Sequence, residues 1–208
     1  MKKVIVFNWL SMDGLFAGPN GETHEWMVHD NDVDKESHKM MNPDTILLGR
    51  VTYQLFESYW PKVAEDPNAP KEARKIADEL NEMKKVVFSR TLKDVKWVNT
   101  KLVSGDLAEE VRKLKRGNGS DMVIFGSGSL VEQLTYEGLI DEYLFTMTPV
   151  ILGEGNSCFK HVKKLNLKLL TAKNFDSGNV LLHYEAGKEE NGNSKNRERE
   201  RAADLTAG

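Results

Sequence analysis

Cysteine is nearly missing from this sequence, and its scarcity removes several chemistries at once. Cys158 is the only one among 208 residues, so no disulfide can close within the chain and no multi-cysteine metal site can form; the cytoplasm is the expected home. An excess of basic charge is missing too. The formal net charge is -3 and the pI about 6.0, which offers no concentrated basic face to a nucleic acid. Long hydrophobic runs are absent. Val4-Ile5-Val6-Phe7 breaks at Asn8 and again at Asp13-Gly14, too soon for a leader segment or a membrane span. His24, His29 and His38 have no tight ligand spacing such as His-Glu-x-x-His, so no metal is expected.

Familiar catalytic and nucleotide motifs are also incomplete. Gly126-x-Gly128 reaches Val131 where a third glycine would stand, and no P-loop lysine follows. Gly126-Ser127-Gly128-Ser129 is not the Gly-x-Ser-x-Gly elbow of a hydrolase, and Cys158, with His161 three positions on, reads as part of a surface loop.

What the chain does have is alternation. Apolar strand patterns at Lys2 to Leu10, Thr45 to Leu48, Lys85 to Phe88, Asp121 to Phe125 and Ile140 to Thr148 are interleaved with helical patterns. The helices are expected at Asp32 to Met41, Val51 to Tyr59, Lys71 to Met83, from a cap at Ser104 or Asp106 to about Lys115, and at Ser129 to Tyr136. Val95 to Val98 and Thr100 to Val103 read as short extended segments, and Trp60 to Pro70 as a proline-bearing loop. Two late strands, Leu165 to Asn174 and Asn179 to Glu185, are joined by the turn Asp176-Ser177-Gly178. The pattern predicts one α/β domain with a mostly parallel sheet and an antiparallel end. It spans residues 1–186. From Lys188 to Gly208 five basic and five acidic residues accompany one sizeable aliphatic, Leu205, so a charged, disordered tail or frayed helix is expected over 187–208.

Three strand ends run into loops suited to phosphate. Gly49-Arg50-Val51-Thr52 follows Thr45 to Leu48, Ser89-Arg90-Thr91 follows Val86 to Phe88, and Gly126-Ser127-Gly128-Ser129 follows Met122 to Phe125. Glycine lets a backbone approach closely, a helix start offers free N-H groups, and a guanidinium grips an oxyanion in two places. Taken singly, Arg50 and Arg90 read equally well as solvated surface residues. Together the loops suggest a dinucleotide, and two arginines converging with Ser89, Thr91 or Thr52 favour NADPH over NADH. The segment from Asn8 to His29 reads as a long loop in which Trp26 and Met27 could close over a flat ring, with Asp30 or His29 as the nearest proton relay. Asp13-Gly14 is a sound turn pair. Phe56 and Trp60 read as packing residues, while Tyr53 is the aromatic left open for a role at the site.

Taken as a set, Ser11-Met12-Asp13-Gly14-Leu15-Phe16-Ala17, Leu48 to Tyr53, Ser89-Arg90-Thr91, Gly126 to Leu130, Gly138 to Glu142 and Pro149 to Gly155 resemble the dihydrofolate reductase-like superfamily. The resemblance is to the family of the C-terminal reductase domain of bacterial riboflavin biosynthesis. It implies a three-layer α/β/α fold with a mixed sheet, NADPH as hydride donor, a small-molecule substrate and a homodimer. By matching position, Gly49, Arg50 and Thr52 resemble the loop that meets the cofactor phosphates, and Ser89 with Arg90 the pair around the adenosine 2′-phosphate. Gly126, Ser127, Gly128, Ser129 and Leu130 resemble the pyrophosphate loop. Asp13 lies in the segment that covers the nicotinamide, which adds it to Asp30 and His29 as a catalytic candidate. The implied activity is reduction of a C=N or C=O carbon in a pterin- or aminopyrimidine-like compound, as in a 5-amino-6-(5-phosphoribosylamino)uracil reductase. The competing expectation is a nucleotide-binding dimer without turnover.

Overall fold

Each short apolar run becomes a strand and each amphipathic stretch after it a helix, because the periods of two and 3.6 leave one buried face apiece. The computed structural model describes residues 1–23 and 25–187. His24 and the charged tail expected beyond Gly187 lie outside the described residues. The elements run β1 (Val4–Ser11), β2 (Leu15–Ala17), α1 (Asn31–Met40), β3 (Pro43–Gly49), α2 (Arg50–Glu65), α3 (Lys71–Glu82), β4 (Lys84–Phe88) and β5 (Thr100–Val103). There follow α4 (Leu107–Arg116), β6 (Asp121–Phe125), α5 (Gly128–Tyr136), β7 (Glu142–Thr148), β8 (Asn156–Ser157), β9 (Leu167–Asn174) and β10 (Val180–Ala186).

The main sheet has eight strands in the order β5-β4-β3-β6-β1-β7-β10-β9. Its first six strands pair in parallel, whereas β10 is antiparallel to both β7 and β9. The fold is therefore the three-layer α/β/α arrangement with a mostly parallel sheet and antiparallel C-terminal strands. Val4, Val6, Leu10, Leu47, Met122, Ile124 and Tyr143 form one core with Val111, Leu130, Val131 and Leu134 of α4 and α5. On the other face Ile46, Leu48, Val87 and Val123 pack with Tyr53, Leu80 and Trp97, and Ile5, Leu144 and Leu181 pack near Met40 of α1. Parallel pairing has one consequence for function: β3, β4 and β6 all deliver their C-terminal loops to the same edge of the sheet, where Gly49 stands beside Phe88 and Leu47 beside Ile124.

Four readings of the sequence are corrected. The loop after β1 contains β2, which pairs with β8, so that the segment around Cys158 is pinned to the body of the fold. Cys158 is consequently fully buried rather than in a surface loop. Burial pushes its thiol up to about 12 despite a hydrogen bond from Asn8, which leaves it inert as a nucleophile. Helix α2 does not stop at Tyr59 but continues through Pro61 to Glu65. The proline forfeits one helical hydrogen bond, and the burial of Phe56 and Trp60 against the second core offsets that loss. Val95 to Val98 is no strand, because the Lys96 and Trp97 N-H groups turn inward to the Tyr53 hydroxyl at 2.9 and 3.2 Å. That contact buries Tyr53 and makes it a tether, not a stacking platform.

Candidate functional site

At the C-terminal edge of the sheet the three loops open onto one cleft of about 1000 Å³. Gly49, Arg50 and Thr52 line it from the β3-α2 junction, Ser89 and Arg90 from the end of β4, and Ser127, Gly128, Ser129 and Leu130 from the start of α5. Gly126 sits just behind, its φ of 61° allowing its N-H to reach Asn8 Oδ1 at 2.7 Å. Ser127 follows with φ 50° and ψ 59°, a left-handed conformation that a non-glycine residue keeps only when contacts hold it. They do so here. Ser127 Oγ accepts the Gly49 N-H at 2.8 Å and donates to Thr52 Oγ1 at 2.9 Å, and the Ser127 N-H donates to the same Thr52 oxygen at 3.1 Å. The hydroxyls of Thr52 and Ser127 thus stitch two loops together, and what these three loops leave to a ligand is chiefly backbone, Ser129 and the two arginines. Ser89 Oγ likewise accepts from the Thr91 and Leu92 N-H groups.

Three helix starts line this cleft, those of α2, α4 and α5, and they are not alike. Asp30 caps α1 and Asp106 caps α4, each with further acids in the first turn. Helix α3 lacks a cap bond but carries Glu72 in its first turn. Helices α2 and α5 have neither a side-chain cap bond nor an acid there, so the positive ends of both dipoles face the cleft uncompensated. Among the described residues Arg50 reaches only Gln54, at 3.1 Å, and both arginines are exposed.

Three parts of this cleft carried no signal in the sequence. The β5-α4 turn from Val103 to Ala108 forms one wall, and His161, with Nδ1 2.6 Å from Glu132 Oε1, stands at another. The third is Phe16, which lies so close to Gly128 that a Cβ there would meet its ring at 2.6 Å. Gly128→Ala is expected to lower stability by about 1 to 3 kcal/mol through this clash, and Phe16→Ala in the same chain to recover most of that loss relative to Phe16→Ala alone. A double-mutant cycle by chemical denaturation measures the coupling; additive losses would place the strain elsewhere.

The three catalytic candidates named from sequence stand away from the cleft lining. Asp13 accepts from Ser11 Oγ at 2.6 Å and from the Gly153 and Leu152 N-H groups at 2.8 and 3.2 Å. Those bonds, the one from Ser11 first, hold its carboxyl down to about 2, so Asp13 ties the β7-β8 loop and has no proton to give at neutral pH. Asp30 accepts the Asp32 N-H at 2.8 Å and Ser177 Oγ at 2.5 Å, and the Ser177 bond above all keeps it below the usual carboxylate range. His29 rests against Trp9 with ring centroids 5.8 Å apart. Trp26 is tied back by its indole N-H to the Glu22 carbonyl at 3.0 Å. Burial pushes the Asp34 carboxyl of α1 above its ordinary range, and it too stands away from the cleft lining. Its place in a plainly polar helix, Asn31–Met40, hid that burial from the sequence. Among the described residues no group of His, Cys, Asp and Glu could hold a metal ion, and no helix is long and apolar enough to cross a membrane.

Known proteins share this architecture. The chain is 35% identical over 184 residues to the uncharacterized protein YyaP of Bacillus subtilis (strain 168), covering 88% of this chain and 94% of that one. A putative riboflavin biosynthesis protein from Shewanella sp. PV-4 superposes with a TM-score of 0.69 at 22% identity, over 89% of this chain and 99% of the other. Dihydrofolate reductase from Enterococcus faecalis, solved with NADP(H), shares the fold with a TM-score of 0.57 at 14% identity, over 89% of this chain and 97% of that one. The sequence model of the RibD C-terminal domain matches residues 2–181, and the chain belongs to that reductase-like family.

Proposed function

We propose that the chain is an NADPH-dependent reductase whose dinucleotide lies along the cleft at the C-terminal edge of the sheet. One observation carries the reading: two uncapped helix N-termini, α2 and α5, open beside Arg50 and Arg90 onto one space of nucleotide size. Backbone N-H groups and dipoles at α5 would face the pyrophosphate, Arg50 at α2 would add charge, and Arg90 would meet a 2′-phosphate. The residues present fit such a cofactor, since the starts of α2 and α5 line the cleft and no acid stands in either first turn. When bound, the nicotinamide supplies a hydride to a C=N or C=O carbon of a small, pterin- or aminopyrimidine-like substrate. The chain's share is to align the two and exclude water. The cytoplasm and a homodimer complete the reading; exposed Leu167, Leu169 and Leu170 on the outermost strand β9 support a covered edge.

Titration with NADPH and NADH tests the cofactor assignment. NADPH is expected to bind more tightly by roughly 1 to 3 kcal/mol, and its consumption is then followed with pterins, phosphoribosylaminouracils and simple ketones. Equal affinities would remove the role given to Arg90. Tight NADPH binding without consumption across the panel would leave a nucleotide-binding protein that does not turn over.

A further inference from the structure

One polar side chain interrupts the core face of β1. Val4, Val6 and Leu10 belong to the core that packs against α4 and α5, and Asn8, only 4% exposed, alternates onto the same face of the strand. An amide is retained in such a core only where hydrogen bonds compensate its burial. Both ends of this one are engaged. Asn8 Oδ1 accepts the Gly126 N-H at 2.7 Å, and Asn8 Nδ2 donates to Cys158 Sγ at 3.3 Å.

These two bonds join segments that no strand pairing connects. The pairing of β1 with β6 ends at Phe7 beside Phe125, and Gly126 is the first residue past that ladder. From there the backbone passes through two left-handed residues in succession, Gly126 at φ 61° and Ser127 at φ 50°, before it enters α5. Thr52 and Gly49 hold Ser127 from the β3 side. Asn8 holds Gly126 from the β1 side. Cys158 in turn fixes which way the amide faces, and it follows β8, which pairs with β2. The turn is thus clamped on both flanks, and it decides where the free N-H groups at the start of α5 point. An apolar residue in place of Asn8 would complete the core but take the acceptor from Gly126.

We propose that Asn8 is a positioning residue for the dinucleotide: through Gly126 it aims the start of α5 at the pyrophosphate, and the Cys158 thiol keeps its amide turned the right way. Asn8 itself does not line the cleft, so it acts only through the turn. The buried thiol serves as a hydrogen-bond acceptor, not as a nucleophile. The ligand in this role rests on the reductase reading, whereas the clamp is present in the chain without any ligand. Because NADPH and NADH share the pyrophosphate, the loss of Asn8 must tell on both alike.

Two measurements on the full chain test this. In the ligand-free protein, Asn8→Leu should speed hydrogen exchange at the Gly126 N-H roughly tenfold or more, read by NMR. In titrations below the melting transition, the same change should weaken NADPH and NADH each roughly tenfold and leave their ratio as in the parent. A merely structural Asn8 would lower the melting point without altering what the folded chain binds. Cys158→Ala should shift exchange and both affinities in the same direction by roughly threefold, and Cys158→Ser, which returns an acceptor, should restore them. Gly126 exchange as in the parent, unchanged affinities in Asn8→Leu, or a loss confined to NADPH would each overturn the proposal. Should Asn8→Leu not fold, the cysteine pair decides, and parent-like exchange and binding in Cys158→Ala overturn it. A parent that binds neither cofactor removes the cleft reading and this role with it, while a parent that binds beside an unaffected Asn8→Leu removes this role alone.

Discussion

Arg90→Gln is expected to abolish the preference for NADPH over NADH, and Arg50→Gln to weaken both cofactors alike. The asymmetry follows from where each arginine stands. Arg50 is the first residue of α2, next to the Gly49 cap and across from Ser127, where a pyrophosphate common to both cofactors would lie. Arg90 follows β4, one strand further out, where only a 2′-phosphate gives it a dianion to hold. A charge-assisted hydrogen bond to such a group contributes about 1.5 to 3 kcal/mol. Solvent at an exposed site trims this, so the loss at Arg90 should be roughly tenfold to a hundredfold in NADPH affinity and near zero for NADH. Arg50→Gln should cost each cofactor roughly tenfold. Both side chains are exposed, and Arg90 has no side-chain partner among the described residues, so neither change should move the stability by more than about 0.5 kcal/mol. Titrations of the parent and both variants at two salt concentrations measure all of this. Screening should weaken NADPH more than NADH in the parent and in Arg50→Gln, but not in Arg90→Gln. An intact NADPH preference in Arg90→Gln would move the 2′-phosphate elsewhere.

Much of this fold was legible because its signals are local. Apolar runs of four or five residues, the Asp106 cap, the Asp176-Ser177-Gly178 turn and the glycines at strand ends each act within a few residues. Parallel pairing then gathers the ends of β3, β4 and β6 on one edge without any further instruction. What stayed hidden depends on partners distant in sequence. Two residues of β8 and three of β2 give no periodicity, yet their pairing decides that Cys158 is buried. Tyr53 looked available until the turn at Lys96 and Trp97 folded back onto its hydroxyl. Asp30 is an acid near an expected substrate, which is how a proton carrier looks in sequence, and Asp13 stands in the segment expected over the nicotinamide. Only the structure supplies the Ser11, Gly153 and Ser177 donors that hold them ionised. The same holds for Thr146 and Thr148, at i and i+2 of β7, whose hydroxyls fall on one buried face.

Lys85→Met should be the most damaging single change away from the cleft, by about 2 to 5 kcal/mol. Lys85 is 1% exposed, and its ammonium donates to the Leu80, Asn81 and Met83 carbonyls at 2.6, 3.2 and 2.8 Å. Those are last-turn and exit carbonyls of α3, which no helical N-H can reach. The Trp97 ring covers the charge from 4.5 Å. Methionine fills the stem's volume but takes the donor from the buried Leu80 oxygen and the part-buried Met83 oxygen, so the loss is one of pairing and not of packing. The same geometry fixes the sign of a pH effect. Burial lowers the Lys85 pKa from 10.5 to about 8, so between these values the unfolded chain binds the proton that the folded chain has released. Raising the pH from about 8 to 10.5 therefore favours the folded state at this residue, and below pH 8 that gain is absent. Denaturant titrations of the parent and Lys85→Met across that range isolate the contribution, because every other lysine and tyrosine is common to both chains. The difference in stability between them should widen with pH, and a constant difference would mean that the three carbonyls and the ring hold Lys85 protonated in the folded chain throughout.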